Sequence, residues 1–154
     1  MANKITHHKE SDKWLLFMAL FFLFFLTAFR SLAVGNDTYT YFYGYSSLDQ
    51  YQSLLDYLSK TRYEPGYAVL CYGCYKAGLS YYGMQTIISA FIFLSFYRFI
   101  KKYSPHYLFS CFIFLTLRYA ISAMNVVRML IAVAILLFAV DKLKERKPFQ
   151  LPRS

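Results

Sequence analysis

Apolar residues come in long blocks along this chain, and polar residues gather between the blocks. Residues 1–13 are polar and carry Lys4, Lys9 and Lys13. Trp14 to Phe29 is an apolar run of 16 residues, closed by Arg30. As a helix it covers about 24 Å, slightly less than a bilayer's hydrocarbon core. Snorkelling of Lys13 and Arg30, with Trp14 at the interface, makes up the difference. A signal peptide is the rival reading, with Ser31-Leu-Ala33 as its cleavage site. A retained span is preferred because further hydrophobic blocks follow.

The next block is polar and aromatic. Gly35-Asn36-Asp37-Thr38 is turn chemistry, and Asn36 or Asp37 can cap a following helix. Asn36-Asp-Thr38 also forms a glycosylation sequon, relevant only in a eukaryotic lumen. Tyr39, Tyr41, Tyr43 and Tyr45 alternate, which suits a strand, while a helix starting near Asp37 is equally open. Asp49 to Lys60 places Tyr51, Leu54, Leu55 and Leu58 at the spacing of an amphipathic helix lying on a membrane. Glu64-Pro65-Gly66 opens a new segment, proline suiting a first helical turn. Residues 67–79 are apolar but short, and read as re-entrant or interfacial. Tyr81 to Ile100 is a good second span, ending in Arg98, Lys101 and Lys102. After Ser104-Pro105, Tyr107 to Val140 is apolar almost throughout. It is too long for one span and is divided near Ser122–Asn125. Asp141 to Lys147 closes it with charge.

The pattern therefore predicts an all-α integral membrane protein. Its parts are a polar tail over 1–13, a membrane domain over 14–140 and a basic tail over 141–154. The four spans fall at about 14–30, 81–100, 106–122 and 125–140. An outer loop covers 31–63 and a re-entrant or interfacial piece 64–79. The lysines and arginines place both termini in the cytoplasm. A fifth span made from 67–79 would violate that charge rule.

Composition agrees. The chain has 154 residues, 58% hydrophobic and 21% aromatic, with only 16% charged, unlike a soluble domain. The net charge of +9 would suggest nucleic acid in a soluble protein. Here the basic residues sit mostly where a positive-inside bias puts them, and no nucleic-acid partner is expected. Cys71-Tyr-Gly-Cys74 has half the spacing of a metal knuckle, but no second pair exists. Cys71, Cys74 and Cys111 are better read as small hydrophobes, so no metal and no cofactor is expected.

The candidate chemistry lies at the outer face. Arg30, Asp37, Glu64, Asn125 and Arg128 all fall there. Asn125 and Arg128 are three apart and share a helix face. Arginine inside a membrane helix is costly and marks a functional position by default. It also grips phosphate in a forked geometry. A nearby carboxylate can take a proton from a sugar hydroxyl. Each residue has a plainer role beside this one. Arg30 could simply anchor the first span at the interface. Asp37 and Glu64 could simply cap helices. Arg118 and Arg128 could pair with acids to hold the bundle. The tyrosines serve packing, and an aromatic outer loop also suits sugar faces.

These landmarks, in this order, resemble the EpsG family of polysaccharide-synthesis membrane proteins. The matching pieces are Arg30…Val34-Gly35-Asn36-Asp37…Tyr41, Glu64-Pro65-Gly66-Tyr67, Phe99-Ile-Lys-Lys-Tyr-Ser104, and Asn125-Val-Val-Arg128 with Ile131-Ala132. The resemblance runs from about Trp14 to Lys147. It implies a Wzy-like polymerase joining lipid-linked oligosaccharide repeats at the outer face of the bacterial cytoplasmic membrane, for capsule, exopolysaccharide or O-antigen. The substrate would be a polyprenyl-pyrophosphate-linked oligosaccharide, with other glycan assembly proteins as partners. Arg30 and Arg128, with Asn125, would hold the pyrophosphate, and Asp37, or less readily Glu64, would be the base. No nucleotide sugar and no obligatory metal would be needed. The chain departs from the family pattern at Met129, where Gln is usual, and in having fewer spans. Two other readings therefore stand beside the polymerase. One is a non-catalytic subunit or fragment of a glycan assembly complex. The other is a glycosyltransferase using sugars on polyprenyl phosphate.

Overall fold

The structure is a computed structural model describing residues 2–35, 37–116 and 127–145. Its described residues form seven α-helices and one 3-10 turn, with no strand. Helix α1 spans Ala2–Ala28, α2 Thr38–Ser46, α3 Leu54–Lys60, α4 Pro65–Lys76, α5 Tyr81–Tyr103, α6 Tyr107–Thr116 and α7 Val127–Glu145. The 3-10 turn is Ser47–Gln50.

Helix α5 is the centre of the molecule. The Ser80 hydroxyl caps its start by accepting from the Gly83 N–H at 3.2 Å. Lys101 and Lys102 close its last turn, where cations suit the helix dipole. Its buried residues Met84, Ile88, Ile92, Phe96 and Ile100 recur every four positions, one stripe along the helix. Helix α1 packs on one side of α5 through Leu16 and Leu20, and α7 on another through Leu130 and Ala134. Gln85 touches the end of α1 and Tyr97 touches Phe17, about three turns earlier in α1, so α1 and α5 run antiparallel. Helix α7 runs with α5: Val127 lies near Gln85, and Phe138 stacks on Phe91 at 5.7 Å. Helix α6 packs against both α1 and α5, with Phe114 set edgewise on Phe96 at 4.8 Å.

The outward faces of these helices are apolar. Phe21, Phe22 and Phe25 on α1, Leu94 on α5, Phe109 and Phe112 on α6, and Ile135 and Leu136 on α7 are all exposed. So much large apolar surface suits hydrocarbon rather than water. By length and composition α5 can cross a membrane; Val127–Val140 is a shorter apolar helix. The first expected span begins inside a longer helix, because α1 runs unbroken from Ala2 across Lys13. The break expected near Ser122–Asn125 lies outside the described residues.

A tyrosine-rich layer covers the Arg30 end of α1 and α5. The alternating tyrosines are helical: of the two readings left open, the helix starting near Asp37 is the one that forms. On α2, Tyr41 and Tyr45 are buried one turn apart, while Tyr39 and Tyr43 face outward and stack. Spacing by four therefore matters here, and spacing by two does not. The expected amphipathic helix over 49–60 is broken. Ser53 takes an extended conformation and restarts the chain as the N-cap of α3, accepting from the Asp56 N–H at 3.2 Å. Gly78 ends α4 at φ +75°, with Leu79 N–H donating to Cys74 O and Gly78 N–H to Tyr75 O. That paired closure requires a left-handed residue, and glycine adopts it without strain.

Candidate functional site

Arg30 follows the last turn of α1 and is only 5% exposed. It is therefore not an anchor reaching for headgroups. Its Nη1 donates to the Thr27 carbonyl at 3.4 Å, and the guanidinium lies beside Tyr81, Tyr41 and Tyr67. Gln85 completes this inner layer. Its Nε2 donates to the carbonyls of Thr27 at 3.1 Å and Ala28 at 2.9 Å, the open carbonyl end of α1. The void among these side chains is about 10 Å³, room for roughly one water. A sugar or a phosphate does not fit there.

Arg128 sits one residue into α7 and is 34% exposed. Its Nε donates to the Tyr41 hydroxyl at 3.2 Å, and its Nη1 donates to Glu64 Oε2 at 2.5 Å. Its guanidinium carbon lies 5.8 Å from the Tyr41 ring centre and 5.6 Å from that of Tyr63. Tyr41 thus stands between two arginines, the buried Arg30 and the accessible Arg128. Tyr63 is held in place by α2, its hydroxyl donating to the Thr40 carbonyl at 3.1 Å. It lies so close to Gly44 that a Cβ there would come within 2.5 Å of its oxygen. Burial pushes the Tyr63 hydroxyl up to about 12, so it stays neutral at physiological pH.

Glu64 stands at the N-cap position of α4, before Pro65. Its side chain makes no capping bond to the helix; it reaches Arg128 instead. A hydrogen bond from its own backbone and one from Arg128 hold its carboxyl below the usual glutamate range. It is therefore ionised at neutral pH, as an ion-pair partner rather than a ready proton acceptor. Beside this pair opens a groove of about 510 Å³ between α4 and α7. Apart from Glu64 and Arg128 its walls are largely apolar, including Leu70, Met129, Ile131 and Ile135. Met129, where the resemblance expects Gln, is one of the apolar wall residues.

Asp37 is exposed at the head of α2, and its carboxylate makes no capping bond. Among the described residues it forms no ion pair. Its carbonyl accepts from the Tyr41 N–H at 3.0 Å, which puts it one turn from the tyrosine that holds Arg128. The structure thus brings Glu64 and Arg128 into contact and joins them to Arg30 through Tyr41. It leaves Asp37 at the edge. Asn125 and Arg118 lie outside the described residues. Sequence reasoning assigned the tyrosines to packing or to sugar faces, and so missed Tyr41 and Tyr63 as the platform for Arg128.

No curated protein and no solved structure matches the chain. The sequence profile of the EpsG family matches residues 13–151, nearly the whole length. The Arg30-to-Tyr41 stretch, the Glu64-Pro65 start of α4 and Arg128 on α7 all fall within that match, and the chain belongs to the EpsG family.

Proposed function

We propose that this chain is a Wzy-like polysaccharide polymerase, taking oligosaccharide repeats carried on polyprenyl pyrophosphate at the outer face of the bacterial cytoplasmic membrane. One observation carries the reading: an arginine–glutamate pair on an aromatic platform stands at an apolar groove between α4 and α7. Such a site suits a ligand that joins a pyrophosphate to an isoprenoid tail. Family membership supports the class of reaction. The four-span bundle and the placement of both termini in the cytoplasm belong to the same proposal, on the charge bias of the sequence.

In this chemistry the pyrophosphate takes Glu64's place on Arg128, and the tail lies along the groove. The acceptor hydroxyl oxygen attacks the anomeric carbon of the growing glycan. The bond from that carbon to the pyrophosphate oxygen breaks, and polyprenyl pyrophosphate leaves with the electron pair. The acceptor's proton passes to Asp37, the exposed carboxylate with no ion-pair partner among the described residues. Arg128 neutralises the departing charge, and fixed positive charge at that position is worth several kcal/mol in such a step. Arg30 acts from behind, holding Tyr41 against Arg128 and adding positive potential. Asn125, three residues before Arg128, would share its helix face.

Complementation tests this in a host lacking its own polymerase, with glycan chain length read on a gel. Arg128→Ala and Asp37→Asn are expected to lose the ladder, the first by about 100-fold in rate, at matched membrane levels. Glu64→Gln is expected to keep it. A ladder that survives in Arg128→Ala would sink the proposal. Lost membrane levels in that variant would instead point to a structural tie between α4 and α7, as in a non-catalytic subunit.

A further inference from the structure

The opposite end of the helix pair carries a second constellation. Because α1 and α5 are antiparallel, Lys13 and Lys101 lie at the same level, far from Arg128. They flank a cleft of about 380 Å³ whose other walls are Trp14, Phe17 and Tyr97. Lys101 Nζ lies 5.4 Å over the Tyr97 ring, which directs its charge along the cleft wall. Through Phe17 and Tyr97 the cleft continues into an apolar groove of about 320 Å³ between α1 and α5. Leu20, Phe24, Phe93 and Leu94 line that groove.

The dimensions name an occupant. From Lys13 to Phe24 is eleven residues of helix, about 16 Å, close to half the hydrocarbon thickness of a bilayer. A charged mouth and an apolar slot one leaflet deep match a lipid with an anionic head and a single chain laid in the slot. Two cations at the mouth favour a headgroup of net negative charge over a zwitterionic one, whose phosphate is balanced by its own cation. We propose that this is a binding site for an anionic phospholipid, its phosphate between Lys13 and Lys101 and one acyl chain along the α1–α5 groove. The site lies at the other end of α5 from Arg128, and it does not depend on the reaction proposed there.

Trp14, the only tryptophan in the chain, lines the cleft and reports on it. The full chain is reconstituted in phosphatidylcholine vesicles containing phosphatidylglycerol brominated high on its acyl chains. Matched vesicles carry the bromines on phosphatidylcholine instead. Half-maximal quenching of Trp14 is expected at a roughly tenfold lower fraction of the brominated phosphatidylglycerol. Lys13→Gln with Lys101→Gln is expected to remove that preference. Lys102→Gln, which removes a neighbouring charge that does not line the cleft, is expected to keep it. Equal quenching by the two lipids overturns the site. So does a preference that survives the double variant, or one that Lys102→Gln abolishes, since either outcome reports only the general charge of that membrane face.

Discussion

Arg128 shows how a costly residue is made tolerable. An arginine at the head of an apolar helix needs partners, and it has three from two segments, α2 and the link that leads into α4. Tyr41 accepts from its Nε, Glu64 accepts from its Nη1, and Tyr63 lies under its face. Arg128 and Glu64 stood out in the sequence because charge is rare there. The tyrosines did not, because the chain holds 16 of them. Tyr41 meets Arg128 across 87 residues, a pairing that no local spacing signals. The Glu64 carboxyl is held below its usual value, so the pair's contribution is complete above the ordinary glutamate pKa. It is lost only as pH falls through the lower value of the folded state. Carboxyl-labelled NMR of the protein in detergent is expected to show Glu64 titrating below the reference value of 4.5. In Arg128→Gln the midpoint is expected to rise toward that reference. No movement of the midpoint in Arg128→Gln would mean that the two side chains are not paired in solution.

At the scale of elements, punctuation was more legible than conformation. Pro65 was read as an opening and starts α4. The lysines after Ile100 mark the end of α5, which runs three residues further, to Tyr103. The tyrosine alternation left strand and helix equally open, because its period of two is set by composition. On α2 the burial follows Tyr41 and Tyr45, and the tertiary contacts of those two rings decide the helix. Tyr45 donates to the Leu79 carbonyl at 2.7 Å, and Tyr41 packs on Tyr67. Gln85 was not singled out at all, since one polar residue near the start of a span looks like an interface residue. Instead its amide ties two carbonyls at the end of α1 to α5. Gln85→Leu leaves both carbonyls without that partner. It is expected to lower the unfolding free energy in detergent by about 2 kcal/mol. An unchanged unfolding midpoint would show that those carbonyls find other partners.

Across the whole molecule, the apolar blocks foretold a helical membrane protein, and the antiparallel α1–α5 pair follows from two blocks joined by a polar layer. Which helices touch was not legible, because the outward faces of α1, α5, α6 and α7 carry large apolar residues just as their buried faces do. The structure resolves this with the buried stripe of α5 and the tyrosine layer beyond it. That layer sits at one end and the lysines of α5 at the other; on the proposed topology these are opposite membrane faces, which impermeant maleimide distinguishes in intact cells. With Cys74 replaced by serine, the native Cys71 and Cys111 remain buried. Leu55→Cys, at a position 78% exposed on α3, is expected to label. Lys102→Cys is expected to label only after permeabilisation. The reverse pattern would put the groove beside Arg128 on the cytoplasmic side.

That groove has walls on two helices, α4 and α7, and its lining residues Met129 and Ile135 are exposed on the outward side of the bundle. Drawing an isoprenoid tail out into water would cost about 0.8 kcal/mol for each CH2 group. A groove that faces sideways spares the substrate that extraction. On the proposed chemistry, exchange of spent carrier for fresh is then diffusion in two dimensions, and its rate follows the surface density of the carrier lipid, not any concentration in the surrounding water.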